Sequence, residues 1–97
     1  MRRLTLHPDT FKEIDEAATF YDQRAAGLGM RFLRAIDSGL DSIRQTPERF
    51  AILRGQRRRF LVRDFPYRIV YRSTSEEIRI LAVAHTSRRP LYWLGRK

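Results

Sequence analysis

The chain has 97 residues, 42% of them hydrophobic and 11% aromatic, and a formal net charge of +9 at neutral pH. This length predicts a single domain, residues 1–97, and the apolar fraction suffices for one core, which excludes a wholly disordered chain. The absence of cysteine excludes disulfides and thiolate metal sites. The apolar runs are too short to cross a bilayer, and the N-terminus lacks the pattern of a signal peptide. We therefore expect a soluble cytoplasmic protein without a membrane partner.

The positive charge is confined to the second half of the chain. Residues 1–53 contain equal numbers of basic and acidic side chains, whereas residues 54–97 contain twelve Lys or Arg and three Asp or Glu. A one-sided basic surface favours an anionic partner, either nucleic acid or an acidic protein segment. The alternative is a solvated surface whose charge only keeps the protein soluble.

The first half of the chain is predicted to form a strand and a helical hairpin. Apolar side chains recur at three- and four-residue steps, the period of an amphipathic helix, and Gly27-Leu28-Gly29 interrupts them once. The predicted elements are a strand at Arg3–Leu6 and helices from about Pro8 to Ala25 and from about Gly29 to Gln45. Asp9 and Glu13 suit the positive N-terminal end of the first helix. The predicted buried stripe of the second helix consists of Leu33, Ile36, Leu40 and Ile43.

The second half is predicted to form a three-stranded antiparallel meander. Runs rich in β-branched and aromatic residues are separated by short turn sequences, which connect antiparallel neighbours. The predicted strands are Phe60–Arg63, Tyr67–Arg72 and Ile78–His85. Before them, Phe50–Leu53 is either a short strand or a packed loop, and Gly55–Arg59 is predicted to be an exposed basic loop.

The predicted fold class is α+β with the order β-α-α-β-β-β, in which the helical hairpin packs on one face of a mostly antiparallel four-stranded sheet. Strand alternation assigns side chains to the two faces. The face under the helices is predicted to carry Tyr67, Ile69, Tyr71, Ile78, Ile80, Ala82 and Ala84. The other face is predicted to be free and to present Arg68, Arg72, Arg79 and His85 around Val70, Leu81 and Val83.

The sequence contains none of the common cofactor or metal patterns. It has no P-loop, no GxGxxG, no HExxH and no EF-hand, and its two histidines stand apart from carboxylate clusters. We therefore predict no metal and no cofactor. Asp15, Glu16 and Asp22 are predicted to form a solvated helix face, which disfavours a hydrolase that uses two carboxylates.

Cleavage of an RNA phosphodiester is one chemistry that needs no carboxylate. Arg68 could stabilise the charged phosphorane, and His85 or Tyr92 could move protons. Each residue also has a structural alternative: a sheet-surface charge for Arg68, a backbone hydrogen bond for His85, and tail aromatics packed against the sheet for Tyr92 and Trp93. The sequence leaves open whether the protein is an enzyme. The predicted target-binding or nucleic-acid-binding residues are Arg57, Arg58, Arg59, Arg72, Arg88 and Arg89.

Three segments of the basic half resemble the ParE/RelE superfamily: Phe65–Tyr71, Ile78–His85 and Arg88–Trp93. Its members are toxins of type II toxin–antitoxin modules. The resemblance covers nearly the whole chain, including the Gly27-Leu28-Gly29 link, and the superfamily fold has the element order predicted above.

The superfamily divides by target. RelE-like members cut messenger RNA in the ribosomal A site, and ParE-like members poison DNA gyrase. The resemblance places Arg68 and Tyr92 where RNA-cutting members carry a catalytic arginine and tyrosine, and Arg57–Arg59 where they carry RNA-contacting residues. Thr86, however, stands where such members often have another arginine.

The ending His85-x-x-Arg88-x-Pro90 looks more like ParE. The resemblance therefore implies a toxin that arrests growth by poisoning gyrase and is neutralised by a cognate acidic antitoxin in a hetero-oligomer. Two alternatives remain: a ribosome-dependent messenger RNA endonuclease, and a non-toxic basic nucleic-acid-binding module.

Overall fold

A computed structural model describes residues 2–97. Its elements are β1 (Arg3–Leu6), α1 (Pro8–Arg24), α2 (Leu28–Gln45), β2 (Ile52–Arg54), β3 (Arg57–Leu61), β4 (Tyr67–Ser73) and β5 (Glu77–His85). The α+β class is confirmed: the helical hairpin packs against one face of a mixed sheet. No helix within residues 2–97 is long and apolar enough to span a membrane.

Within residues 2–97 the sheet has five strands instead of the predicted four, in the order β1-β5-β4-β3-β2. The additional strand is β2, in the segment whose structure the sequence left open. Gly55 has a φ of 58°, which a turn between β2 and β3 requires and which glycine adopts without strain. The predicted loop at Arg57–Arg59 is therefore wrong, because these residues form the first part of β3. That strand ends at Leu61, two residues before the predicted end.

Strand pairing is mostly antiparallel, as predicted. The exception is β1, which runs parallel to β5 with Leu4 opposite Ile78 and Leu6 opposite Ile80. The helical hairpin makes the connection between β1 and the rest of the sheet, as a parallel pair requires. This arrangement leaves β1 and the short β2 at the two edges.

The core lies between α2 and the sheet. The buried residues of α2 are Gly29, Phe32, Ile36, Gly39 and Ile43. Leu33 and Leu40 are only half-buried, so the predicted stripe was placed slightly off the centre of the buried face. The reason is that glycines form part of the contact: a Cβ at Gly39 would lie 2.9 Å from Ile69 Cδ1, closer than real Cβ atoms come. Hydrophobic periodicity does not count glycines as core residues.

The face opposite the helices is not free. Residues 86–97, hereafter the tail, fold back over it, and Trp93 is 3% exposed in a cluster with Val70, Leu81 and Ala82. The prediction of an open face is therefore wrong, and this surface is called the tail face below. Trp93 takes the structural role that the sequence offered as its alternative.

A β-bulge reverses part of the predicted alternation in β5. Tyr71 lies opposite Ile80 and Val70 lies opposite Ala82, so Leu81 is an extra residue in β5. Beyond this point the predicted faces are exchanged: Ala82 lies on the tail face, and Val83 belongs to the helix-side core. Ala84 and His85 are exchanged in the same way, because their partners are Arg68 and Tyr67 on β4.

The close approach of the two helices at Gly29 gives a stability prediction. A Cβ at this position would overlap the carbonyl oxygen of Ala18 and lie 2.7 Å from Asp22 Cγ. In an open helix, Gly→Ala stabilises by up to about 1 kcal/mol. Here we expect Gly29→Ala to destabilise by about 1–3 kcal/mol, because backbone must shift. Denaturant unfolding measures the change, and Gly95→Ala is the control, since nothing lies within 4 Å of a Cβ there. An equal change in the free energy of unfolding for the two variants would contradict the prediction.

Candidate functional site

Glu13 of α1 closes the outer edge of β5. The pairing of β1 with β5 ends at Ile80, so later backbone groups on that edge lack a strand partner. The backbone N–H of Val83 donates to Glu13 Oε1 at 3.0 Å. Arg96 Nη1 donates to the same carboxylate oxygen at 3.0 Å and to the Leu81 carbonyl oxygen at 3.1 Å. Two side chains thus satisfy backbone groups that a neighbouring strand would otherwise satisfy.

The same carboxylate holds Tyr92. The phenol donates a short hydrogen bond to Glu13 Oε2. The Arg88 guanidinium lies 4.0 Å from the centroid of the Tyr92 ring, and that of Arg96 lies 5.1 Å from it. Burial, followed by the hydrogen bond to Glu13, raises the pKa of Tyr92 well above its ordinary value. The phenol therefore keeps its proton, and that proton is directed at Glu13.

Arg68, His85 and Tyr92 all line one small cleft between the tail face and the end of β5, although the His85 ring turns towards Tyr67 on the helix side. The cleft has a volume of about 150 Å³ and is closed on one side by Trp93. The Nε of Arg68 is buried and has no acceptor among the described residues. This cleft could hold a small anionic group beside Arg68.

His85 is engaged at one ring nitrogen. Its Nδ1 accepts the backbone N–H of Ser87 at 3.0 Å and lies 2.7 Å from Ser87 Oγ. The ring packs edge-on against Tyr67, with centroids 5.1 Å apart. The backbone contact that the sequence offered as the alternative for His85 is therefore present. Proton transfer by His85 would have to use Nε2.

Three arginines form a row across the tail face. Arg57 of β3 lies opposite Arg72 of β4, which lies opposite Arg79 of β5. Like charges directly opposite each other in a sheet are destabilising. The Arg79 guanidinium contacts the backbone oxygen of Lys97 at 3.3 and 3.4 Å. None of the three forms an ion pair with an acidic residue in the part of the chain that the structure describes.

The other predicted binding arginines divide between surfaces. Arg59 lies opposite Val70 and so shares the tail face, whereas Arg58 lies opposite Tyr71 on the helix side and donates to the Phe50 carbonyl oxygen at 2.8 Å. Arg88 and Arg89 are exposed at the start of the tail.

Sequence reasoning missed Glu13, Arg96 and Ser87 as parts of the site. The sequence did contain a signal for the first two. Asp9 and Glu13 are four residues apart on one helix face, and Arg96 Nε lies 3.8 Å from Asp9 Oδ2. Acidic residues at that spacing can bind one guanidinium. Within residues 2–97, no group of three or more His, Cys, Asp or Glu side chains is arranged to hold a metal ion.

Comparison with known proteins identifies the family. The family model described as "ParE toxin of type II toxin-antitoxin system, parDE" matches residues 4–90. The chain belongs to this toxin family. Toxin ParE2 of Mycobacterium tuberculosis, in strains CDC 1551 and H37Rv, is 34% identical over 90 residues, covering 92% of this chain and 86% of the relative.

A solved structure has the same fold. It is described as the chromosomal ParDE TA system from P. aeruginosa, and its matching chain superposes with a TM-score of 0.77 at 16% identity, covering 88% of this chain and 96% of that one. Membership of the ParE family makes this protein a toxin of a type II toxin–antitoxin system, so the resemblance noted from the sequence is confirmed. Membership of this family argues against the alternative of a non-toxic nucleic-acid-binding module.

The Glu13 network gives a second prediction. Glutamine has the same shape but no negative charge to pair with Arg96, and its NH2 group replaces one of the two oxygens that accept from Val83, Arg96 and Tyr92. We expect Glu13→Gln to lower the free energy of unfolding by about 1–3 kcal/mol, the range for a lost charged hydrogen bond. Amide exchange at Val83 should accelerate. The control is Glu16→Gln on the exposed face of α1, which should change stability by less than about 0.5 kcal/mol. If both variants unfold at the same denaturant concentration, the tail is held by other contacts.

A third prediction concerns alkaline pH. Burial raises the pKa of Tyr71 to about 12, and its hydroxyl donates to the Pro47 carbonyl oxygen at 2.6 Å. Because the pKa values of Tyr71 and Tyr92 are higher in the folded state, their stabilisation is complete below pH of about 10 and is lost as pH rises above it. Each tyrosine contributes a slope of up to about 1.4 kcal/mol per pH unit. Unfolding measured from pH 8 to 11.5 should show this loss, and Tyr92→Phe should reduce the slope. An unchanged slope in that variant would contradict the role given to Tyr92.

Proposed function

We propose that this ParE-family toxin arrests growth by poisoning DNA gyrase and does so without catalysing a reaction of its own. One observation favours gyrase poisoning over RNA cleavage. The Tyr92 phenol, a candidate for proton transfer, donates to a carboxylate that also holds Arg96. A general acid or base works best when its pKa lies near the working pH, and the pKa of Tyr92 is raised away from it.

The other residues of the cleft do not complete a set for RNA cleavage. Arg68 could stabilise a phosphorane, but proton removal from a 2′-hydroxyl and proton donation to the leaving oxygen need two further groups. His85 already uses Nδ1 for Ser87. Thr86 follows it where the resemblance associates RNA-cutting members with another arginine. Gyrase poisoning requires only binding, which the exposed basic surface can supply.

A messenger RNA endonuclease is the second candidate. It is favoured by the cleft that brings Arg68 and His85 together and that is of a size to hold a phosphate group. If the protein is an endonuclease, removal of the Arg68 side chain should abolish growth arrest. If it is a gyrase poison, growth arrest should persist without that side chain.

We further propose that a cognate acidic antitoxin, disordered when free, neutralises the toxin. The arginines of the tail face carry no ion pair with the described acidic residues, which leaves them available to carboxylates. Electrostatic complementarity of this kind accelerates association and selects partners. Both proposed partners, gyrase and antitoxin, imply that the protein acts in the cytoplasm as part of a hetero-oligomer.

The test separates the two targets in one set of variants. Purified toxin is added to gyrase, ATP and supercoiled plasmid, and linear DNA is quantified after protein removal. In parallel, the toxin is induced without antitoxin, and a DNA-damage reporter and intact messenger RNA are followed. We expect linear DNA and reporter activity to rise severalfold while messenger RNA stays intact. Arg68→Ala, His85→Gln and Tyr92→Phe should each retain arrest, provided that each variant is folded.

The endonuclease alternative predicts the opposite results. Cleaved messenger RNA, no increase in linear DNA, and loss of arrest in Arg68→Ala would establish the endonuclease. Arg88→Glu and Arg89→Glu combined should weaken arrest under the gyrase proposal, because they reverse the charge of the exposed tail arginines. Normal gyrase poisoning in that double variant would show that the target contacts another surface.

A further inference from the structure

A pocket of about 300 Å³ lies on the helix-bearing side of the molecule, between α2 and the turn from β3 to β4. Its floor consists of Ala35, Gly39, Phe60 and Phe65. It is separate from the cleft that holds Arg68, which lies on the tail face. We call it the α2 pocket. Its volume corresponds to the smallest ligand pockets in proteins, with room for one large side chain.

The floor of the α2 pocket is preformed. The Phe60 ring packs edge-on against Phe50 at 5.0 Å, and the Phe65 ring packs against Tyr21 at 4.9 Å and Phe32 at 5.3 Å. These rings are fixed by the core, so a ligand would not have to order them. Gly39 brings the helix backbone against the sheet: a Cβ there would lie 2.9 Å from Phe60 Cε1.

The rim of the pocket is basic. Arg31 and Arg34 project from α2, and Arg63 stands across from them beside Asp64. All four are exposed, and none takes part in an ion pair among residues 2–97. Three guanidinium groups against one carboxylate leave the rim positively charged. Arginine forks bind carboxylates with two hydrogen bonds, so this rim suits an acidic partner.

We propose that the α2 pocket receives a segment of the antitoxin that places one large apolar side chain, flanked by at least two carboxylates, into it. This rests on the proposed neutralisation by an acidic antitoxin. The combination of apolar floor and cationic rim selects a peptide over nucleic acid. A phosphate backbone would satisfy the arginines but leave Phe60 and Phe65 uncovered.

The position of the pocket has a consequence for inhibition. The basic tail face and the α2 pocket lie on opposite sides of the sheet. The antitoxin therefore has a contact on the helix-bearing side in addition to the tail-face arginines, which are also proposed to meet the target. Contacts in the α2 pocket that hold the antitoxin can then be changed without changing the contacts that arrest growth.

The experiment uses the full-length toxin and the full-length antitoxin encoded beside it. Arg34→Glu reverses one charge of the rim, and Ser38→Trp fills the pocket without changing charge. The control is Arg44→Glu, the same charge reversal on the same helix but outside the pocket, where Arg44 contacts Asp41. Affinity is measured by titration of labelled antitoxin, growth arrest is measured with and without co-expressed antitoxin, and thermal unfolding verifies the fold of each variant.

We expect Arg34→Glu and Ser38→Trp each to weaken antitoxin binding at least tenfold and to arrest growth even when antitoxin is co-expressed. Arrest without antitoxin should match the wild type, and Arg44→Glu should bind within about twofold. Wild-type affinity in both pocket variants would overturn the proposal. Lost arrest with normal antitoxin binding would also overturn it, since the pocket would then serve the target. If gyrase is not the target, the affinity measurements still decide the occupant of the pocket.

Discussion

The packing of the first helix, the last strand and the tail depends on one carboxylate, that of Glu13 in α1. This carboxylate lies beside β5 just beyond the point where the pairing with β1 ends. β1 is only four residues long, so β5 extends past it with an unpaired outer edge. An exposed edge of this kind invites pairing with other chains unless it is covered. Glu13 covers it from α1 by accepting from Val83, and the same carboxylate binds Arg96 and Tyr92. A single side chain thus connects the first helix, the last strand and the tail.

The position of the tail determines what the tail face can do. With Tyr92 and Arg96 held at the edge of β5, Trp93 covers Val70, Leu81 and Ala82. Only a small cleft remains beside Arg68, and the arginine row remains at the other end of the covered area. The hydrogen bond that fixes the tail also withdraws the Tyr92 phenol from proton transfer. Structural and functional consequences follow from the same contact.

The sequence predicted the parts that local patterns determine. Helical periodicity located both helices to within a residue at their ends. The turn sequences that begin at Asp64 and at Ser73 separated the last three strands, although β4 itself extends to Ser73. Those patterns carry no information about the bulge, because Leu81 is as apolar as its neighbours and alternation continues on both sides of it. The bulge placed Val83 and Ala84 on faces opposite to those expected.

The candidate site was harder to predict because its contacts are distant in sequence. Glu13 and Arg96 are separated by 83 residues, and a helix-terminal carboxylate has a local explanation that needs no partner. Arg68, His85 and Tyr92 were grouped by the chemistry that RNA cleavage needs, and the resemblance added a reason only for Arg68 and Tyr92. That Tyr92 donates to Glu13 could not be read from either residue. Arg57–Arg59 was predicted to be a loop because a run of charged residues is typical of a solvent-exposed segment. These residues instead form part of a strand, which directs successive arginines to opposite faces of the sheet.

The row of Arg57, Arg72 and Arg79 bears on how long the free toxin survives. Three like charges held opposite one another raise the free energy of the folded state but not that of the extended chain. A polyanion that binds only the folded state removes this repulsion and stabilises the fold by mass action. The antitoxin would then protect the toxin from unfolding and proteolysis as well as inhibit it.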